Sequence, residues 1–302
     1  MLPVVISVIT LISIAFPLLC SAWLWKGKFT SRTDWATRAL LSAAVVVFFL
    51  VAGTWAFASV WLKYAIALLF AIAVVKTFPR LEDRTIFGRR DSRGRASYRP
   101  RIILLVIFLT LDFLAIKGRF IKDEPLDLSF PLKEGRYYVL QGGAGRIANP
   151  FHSSAADRYA LDIVKLNMLG NRASGFFPSE LYLHKIYGEV VYSPCSGSVA
   201  KVKDGLPDNP PRSPDTENPA GNHIVIECGD ALVLMAHLLQ GSITVKEKQS
   251  VKENQVIARV GNSGNSFEPH LHISATLKDE PEKALPLTFN ERFLAMNRSF
   301  RN

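Results

Sequence analysis

The chain has 302 residues, 49% of them hydrophobic, with 36 Lys and Arg against 26 Asp and Glu, a net charge of +10. The excess is uneven: residues 1–116 hold 14 basic and 5 acidic residues (+9), whereas residues 117–302 hold 22 and 21 (+1). The cysteines, Cys20, Cys195 and Cys228, are not spaced like zinc ligands, which excludes a cysteine-built zinc module.

Residues 2–25 are apolar apart from Ser and Thr, and long enough to cross a bilayer, which takes about 20 residues. No basic segment precedes them and no small-residue cleavage site follows, so they read as an uncleaved span rather than a signal peptide. Leu19 stands before Cys20 where a lipoprotein signal has Gly or Ala, which argues against lipidation. Residues 40–58 form a second apolar run, 61–75 a shorter third with Lys63 near its start, and 102–116 a fourth with Asp112 inside. The third and fourth need tilt or snorkelling ends to span. Residues 1–116 are thus read as about four transmembrane helices in a bacterial plasma membrane.

Charge orients these runs. Residues 26–38 carry four basic residues and one acid, and residues 76–101 carry nine and three. Positive loops stay in the cytoplasm, and two spans separate these loops, so they agree. The fourth run then delivers residue 117 to the outside. The patch RRDSRGR (89–95) reads as this topology signal plus attraction to anionic lipid, and no nucleic-acid partner is expected. Asp112, near the outer end of its run, reads as an interfacial or hydrogen-bonded carboxylate.

Residues 117–134 read as a polar, Pro-containing linker. From 135 to 302 short alternating strands are broken by Gly, Pro, Asn and Asp, the pattern of a mostly antiparallel β domain, with a helix expected only at 289–300. Residues 204–221 (DGLPDNPPRSPDTENPAG) read as a long exposed loop between two strands that walls a groove. Cys195 and Cys228 lie in strand-like segments on the expected oxidising side; the sequence leaves open whether they pair.

Chemistry concentrates in the second half. All six histidines follow residue 150. In GNSGNSFEPHLHIS, His270 and His272 are two apart in a strand-like stretch, so they share one face. Asp162 stands in the apolar run YALDIVKL, where a lone carboxylate is costly unless paired or metal-bound. His237 interrupts VLMAHL in the same way, and His152 ends NPFH.

In this order the residues resemble the lysostaphin-type zinc metallopeptidases, also called the beta-lytic or LytM type. YSPCSGSVAKV (192–202) is similar to the family's small hairpin, GNHIVIEC (221–228) and MAHL (235–238) to two of its strands, and the stretch ending in PHLHI to its closing block. The resemblance spans residues 136–285. It implies one Zn2+ per chain held by His152, Asp162 and His272, with His237 and His270 as catalytic histidines that do not bind the metal. Three protein ligands leave a fourth position open for water, as a catalytic zinc site requires. The family's usual substrates are the peptide crosslinks and stems of bacterial cell walls. Peptidoglycan or another envelope peptide is therefore the expected substrate, with a non-catalytic regulator of a cell-wall amidase, or a peptidase of proteins, as alternatives.

The chain departs from the family at one point. The family spacing is His-x-x-x-Asp, but Arg158 stands four residues before Asp162, and His152 stands ten before it. The loop SSAADR must account for the difference. Asp157 in that loop is an alternative carboxylate that reads as solvated. His184 and His223 read as structural or rim residues, and Glu268 as a loop charge.

Overall fold

A computed structural model of the protein describes residues 2–81, 84–86 and 92–301, with backbone alone for residue 2 and residues 92–97. Of the basic patch at 89–95, residues 89–91 lie outside the described residues. The chain divides into two units, Met1–Ile116 and Lys117–Asn302.

The first unit is helical: α1 (Leu2–Trp25), α2 (Arg32–Ala52), the short α3 (Trp55–Ala58), α4 (Val60–Thr77) and α5 (Ser92–Lys117). Among the described residues three helices are long and apolar enough to cross a membrane, Pro3–Trp25, Arg32–Ala52 and Val60–Leu81. They leave Leu11, Leu19, Leu68 and Val75 62–70% exposed, as lipid-facing side chains would be. The fourth apolar run, 102–116, lies within the 26-residue α5, behind Arg99, Pro100 and Arg101. The second run does not continue to residue 58. It stops at Gly53, where a Cβ would lie 2.6 Å from the Phe49 carbonyl oxygen, and where the Trp55 indole donates to that same carbonyl. Asp34 at the start of α2 is buried between Arg38, 3.1 Å away, and Arg101 of α5, 2.6 Å away.

The second unit is built on an eight-stranded sheet, ordered β13-β2-β3-β10-β7-β6-β5-β8. Its central strands are β3 (Leu161–Lys165), β10 (Leu271–Leu277), β7 (Ala231–Leu238) and β6 (Asn222–Cys228), with β2 (Arg136–Gln141) and β13 (Ser299–Arg301) at one edge and β5 (Gly197–Lys203) and β8 (Ser250–Val251) at the other. Each neighbouring pair runs antiparallel. Period-two alternation explains the burial: Leu161, Ile163, Leu271, Ile273, Val233 and Ile224 all enter one core, which sends Asp162 and His272 to the opposite face. Strands β4 (Val190–Tyr192) and β9 (Val256–Arg259) pair separately. Cys195 and Cys228 form a disulfide with Cα atoms 6.0 Å apart, closing the end of the β5–β6 hairpin.

Two expectations need correction. Residues 117–134 do not behave as a linker. The alternation in LDLSFPL buries Leu128, Phe130 and Leu132 in the core, and Phe130 stacks on Phe300 at 4.2 Å. Its strand β1 (Leu126–Leu128) pairs in parallel with β11 (Leu287–Phe289). The helix expected at 289–300 is absent. Asn290 and Glu291 take φ of 51° and 61°, which makes a two-residue hairpin turn of the kind that matches strand twist, so the segment forms β11, β12 (Arg292–Phe293) and β13.

Candidate metal centre

Strand register brings the chemistry together. His272 on β10 lies directly opposite Asp162 on β3 and Ala236 on β7. Asp162 is 6% exposed. Its Oδ1 accepts from His272 Nδ1 at 2.9 Å and lies 3.4 Å from His270 Nε2. Ring nitrogens of His237, His270 and His272 converge within 4.8 Å of one another, and the His237 and His270 rings are 4.7 Å apart.

His237 reaches this cluster through an unusual backbone. Its φ is 60°, a left-handed conformation that a Cβ-bearing residue avoids. Its amide donates to the Ala220 carbonyl at 3.1 Å, and its carbonyl accepts from Gly261 at 3.0 Å. Both neighbours thus hold the twist that turns the side chain out of the strand's alternation.

Hydrogen bonds on the far side of the rings settle two tautomers, because a carbonyl can only accept. His237 Nδ1 meets the Ser263 carbonyl at 2.9 Å and His270 Nδ1 meets the Glu268 carbonyl at 2.8 Å. Each Nδ1 therefore carries a proton, and each ring turns Nε2 to the chemistry.

The charges balance within the cluster. Burial pushes the Asp162 carboxyl up, but the imidazoles of His270 and His272 outweigh it and hold the group well below the usual carboxylate range. Burial also depresses His270 and His272, yet Asp162 raises His270, and Asp157 with Asp162 brings His272 to about 9. His237, buried and facing two other imidazoles, is pushed well below its ordinary value and stays neutral. A buried carboxylate among imidazoles, with only nitrogen and oxygen donors, is a donor set that suits zinc.

His152 does not join the group of converging nitrogens. It lies in a 3₁₀ turn, Pro150–Ser153, with Nδ1 on the Arg158 carbonyl at 3.1 Å and its ring 5.8 Å from Tyr159. The neighbouring Phe151 instead stands edge-on to His272 at 5.3 Å. Asp157, read from sequence as solvated, lies 3.8 Å from His272 Nε2, and that imidazole holds its carboxyl below the ordinary range.

Glu268 is not a loop charge: it is 6% exposed and ion-paired with Arg172. No pattern in the sequence marks Arg172 as its partner. His184 is buried beside it, 3.5 Å from its carboxylate, and His223 is buried with Nδ1 on the Gly221 carbonyl. The 204–221 loop is stitched to the segment before His270: Asn209 donates to the Gly264 carbonyl at 2.8 Å, and the Arg212 amide to Phe267. Gly221, at φ 59°, packs so tightly on Ser263 that a Cβ would come within 2.4 Å of its carbonyl oxygen.

No curated protein sequence matches the chain. Among solved structures, it is similar to a zinc-containing peptidase from Vibrio cholerae, at 22% identity over 57% of this chain and 44% of that one, with a TM-score of 0.31. It is also similar to the catalytic domain of the antimicrobial peptidase lysostaphin from Staphylococcus simulans, at 21% identity over 36% of this chain and 80% of that one, with a TM-score of 0.24. The chain thus spans less than half the length of the Vibrio protein. The profile of peptidase family M23 matches residues 181–283. Residues 181–283, within the antiparallel β unit that carries the histidine cluster, are thus similar to peptidase family M23.

Proposed function

We propose that the protein is a membrane-anchored zinc metalloendopeptidase of the bacterial cell envelope, with its β unit outside the cytoplasm and the peptides of peptidoglycan as substrate. The observation that carries this reading is the buried meeting of Asp162, His237, His270 and His272 at one end of the sheet. Asp162 and His272 are the proposed zinc ligands, with His152 the third in the family pattern. A zinc ion bound there would polarise a peptide carbonyl and lower the pKa of a water toward about 7. His237 and His270 divide the remaining work through their Nε2 atoms: one accepts a proton from water, and the other stabilises the developing oxyanion.

Location rests on separate support. The basic loops agree with the positive-inside rule, the apolar faces of α1 and α4 suit lipid, and the Cys195–Cys228 disulfide suits an oxidising compartment. An outward-facing hydrolase in that membrane would sit beside peptidoglycan.

The test is digestion of purified muropeptides by the full chain in detergent with zinc, with new amino termini read by mass spectrometry. Cleavage lost in His237→Ala and His270→Ala is expected. A zinc-loaded chain that cleaves no muropeptide would overturn the substrate assignment. One observation favours a second reading: His152 faces the Arg158 carbonyl rather than the cluster. A chain that holds no zinc would use its groove as a binding module, for example to activate a cell-wall amidase.

A further inference from the structure

A second buried polar cluster lies behind the first. Arg172, Glu268 and His184 are 1%, 6% and 3% exposed. The Arg172 guanidinium grips both carboxylate oxygens of Glu268, with Nε on Oε1 and Nη2 on Oε2 at 2.7 Å. Nη2 also donates to the Phe176 carbonyl at 2.9 Å. Burial alone would raise the Glu268 carboxyl, but Arg172 and His184 hold it at about 2, so it is ionised. A buried ion pair is weak evidence for stability, since desolvation offsets most of its Coulomb gain. Its burial therefore points to another role.

The position of Glu268 suggests that role. Its side chain is fixed by Arg172, while its main-chain carbonyl receives the His270 Nδ1 proton at 2.8 Å. The Ser266 hydroxyl donates to the same carbonyl at 3.0 Å. Only Pro269, with its fixed φ, separates the clamped residue from the histidine. Rotation of Glu268 would move the carbonyl that, beside the Ser266 hydroxyl at 3.2 Å, holds His270 Nδ1 and keeps Nε2 toward Asp162.

We propose that Arg172 and Glu268 are a positioning pair that locks the Glu268 carbonyl, and through it the tautomer and aim of His270. His184 closes the other side of the carboxylate. The inference rests on the peptidase reading for the role of His270, but its first readout does not need activity.

The experiment uses the full chain in detergent with histidine ring nitrogens labelled with 15N, comparing wild type with Glu268→Gln, Arg172→Lys and the double variant Arg172→Met/Glu268→Gln. The double variant strands no buried charge, so it folds even where a single change does not. Wild type is expected to show His270 as one Nδ1–H tautomer, and the variants a mixture. Zinc content stays at the wild-type level, and kcat on muropeptides falls about 10–100-fold with KM within about twofold. Arg172→Lys, which keeps the charge but not the bidentate grip, is intermediate. An unchanged tautomer with unchanged kcat, beside a lower melting temperature, would overturn the proposal and leave the pair a structural one. Wild type without zinc would instead sink the peptidase reading, and the tautomer comparison would still decide this one.

Discussion

The backbone of His237 allows a sharp test. His237→Ala and His237→Gly both delete the imidazole and its bond to the Ser263 carbonyl, so they differ only in what residue 237 asks of its backbone. At an ordinary strand position Ala is more stable than Gly by about 0.5–1 kcal/mol, because Gly loses more chain entropy on folding. Here φ is 60°, held by hydrogen bonds to Ala220 and from Gly261. A Cβ in that region costs about 1–2 kcal/mol, which outweighs the entropy term and inverts the order. Gly should be more stable than Ala by about 1 kcal/mol, which for a unit of this size is about 2–4 °C in Tm. The assay is calorimetry of the full chain in detergent with a chelator present, so that metal binding does not shift the comparison. Both variants should be inactive. An Ala variant that melts at or above the Gly variant would refute the argument and mean that the turn relaxes.

Three more outcomes are expected of the same unit. Removing the disulfide with Cys195→Ala/Cys228→Ala, at a separation of 33 residues, should destabilise the β unit by about 3–4 kcal/mol in denaturant, and reductant should do the same to wild type. Glu268 lies at about 2 against an ordinary 4.5: burial opposes its charge, and Arg172 and His184 overcome that. A depressed carboxylate stabilises fully above the unfolded value and loses its contribution as pH falls through the folded one. About 3 kcal/mol should therefore disappear between about pH 4.5 and 2, and Glu268→Gln should flatten that window in a pH series of melts. Asp157→Asn should weaken zinc about 10–100-fold in competition with a chelator, because a ligating histidine depends on the partner of its outer nitrogen; unchanged affinity would remove Asp157 from the site.

The legible part of the protein is the part built on alternation. Asp162, His237 and His272 each interrupt an apolar run, and the interruption by itself marks a polar side chain that needs a partner. The core strands β3, β7 and β10 follow from the same pattern. What stays hidden depends on contacts between distant segments. Arg172 and Glu268 are 96 residues apart, and nothing local to either marks the pair. The left-handed turn at His237 is imposed by Ala220 and Gly261, which the strand pattern of VLMAHL does not foretell. The stretch 117–134 reads as a linker because Asp, Glu and Pro mask the alternation of Leu128, Phe130 and Leu132. Family order points to His152, but the turn that begins at Pro150 directs Phe151 rather than His152 toward His272.

The most direct test of the central claim is the zinc content of the purified full chain, measured beside Asp162→Ala, His272→Ala and His152→Ala. The account predicts a single zinc per chain in wild type and its loss from the Asp162 and His272 variants. The His152 variant reports whether the third ligand of the family pattern serves here. A wild-type chain without zinc, or one whose zinc survives Asp162→Ala and His272→Ala, would contradict the account.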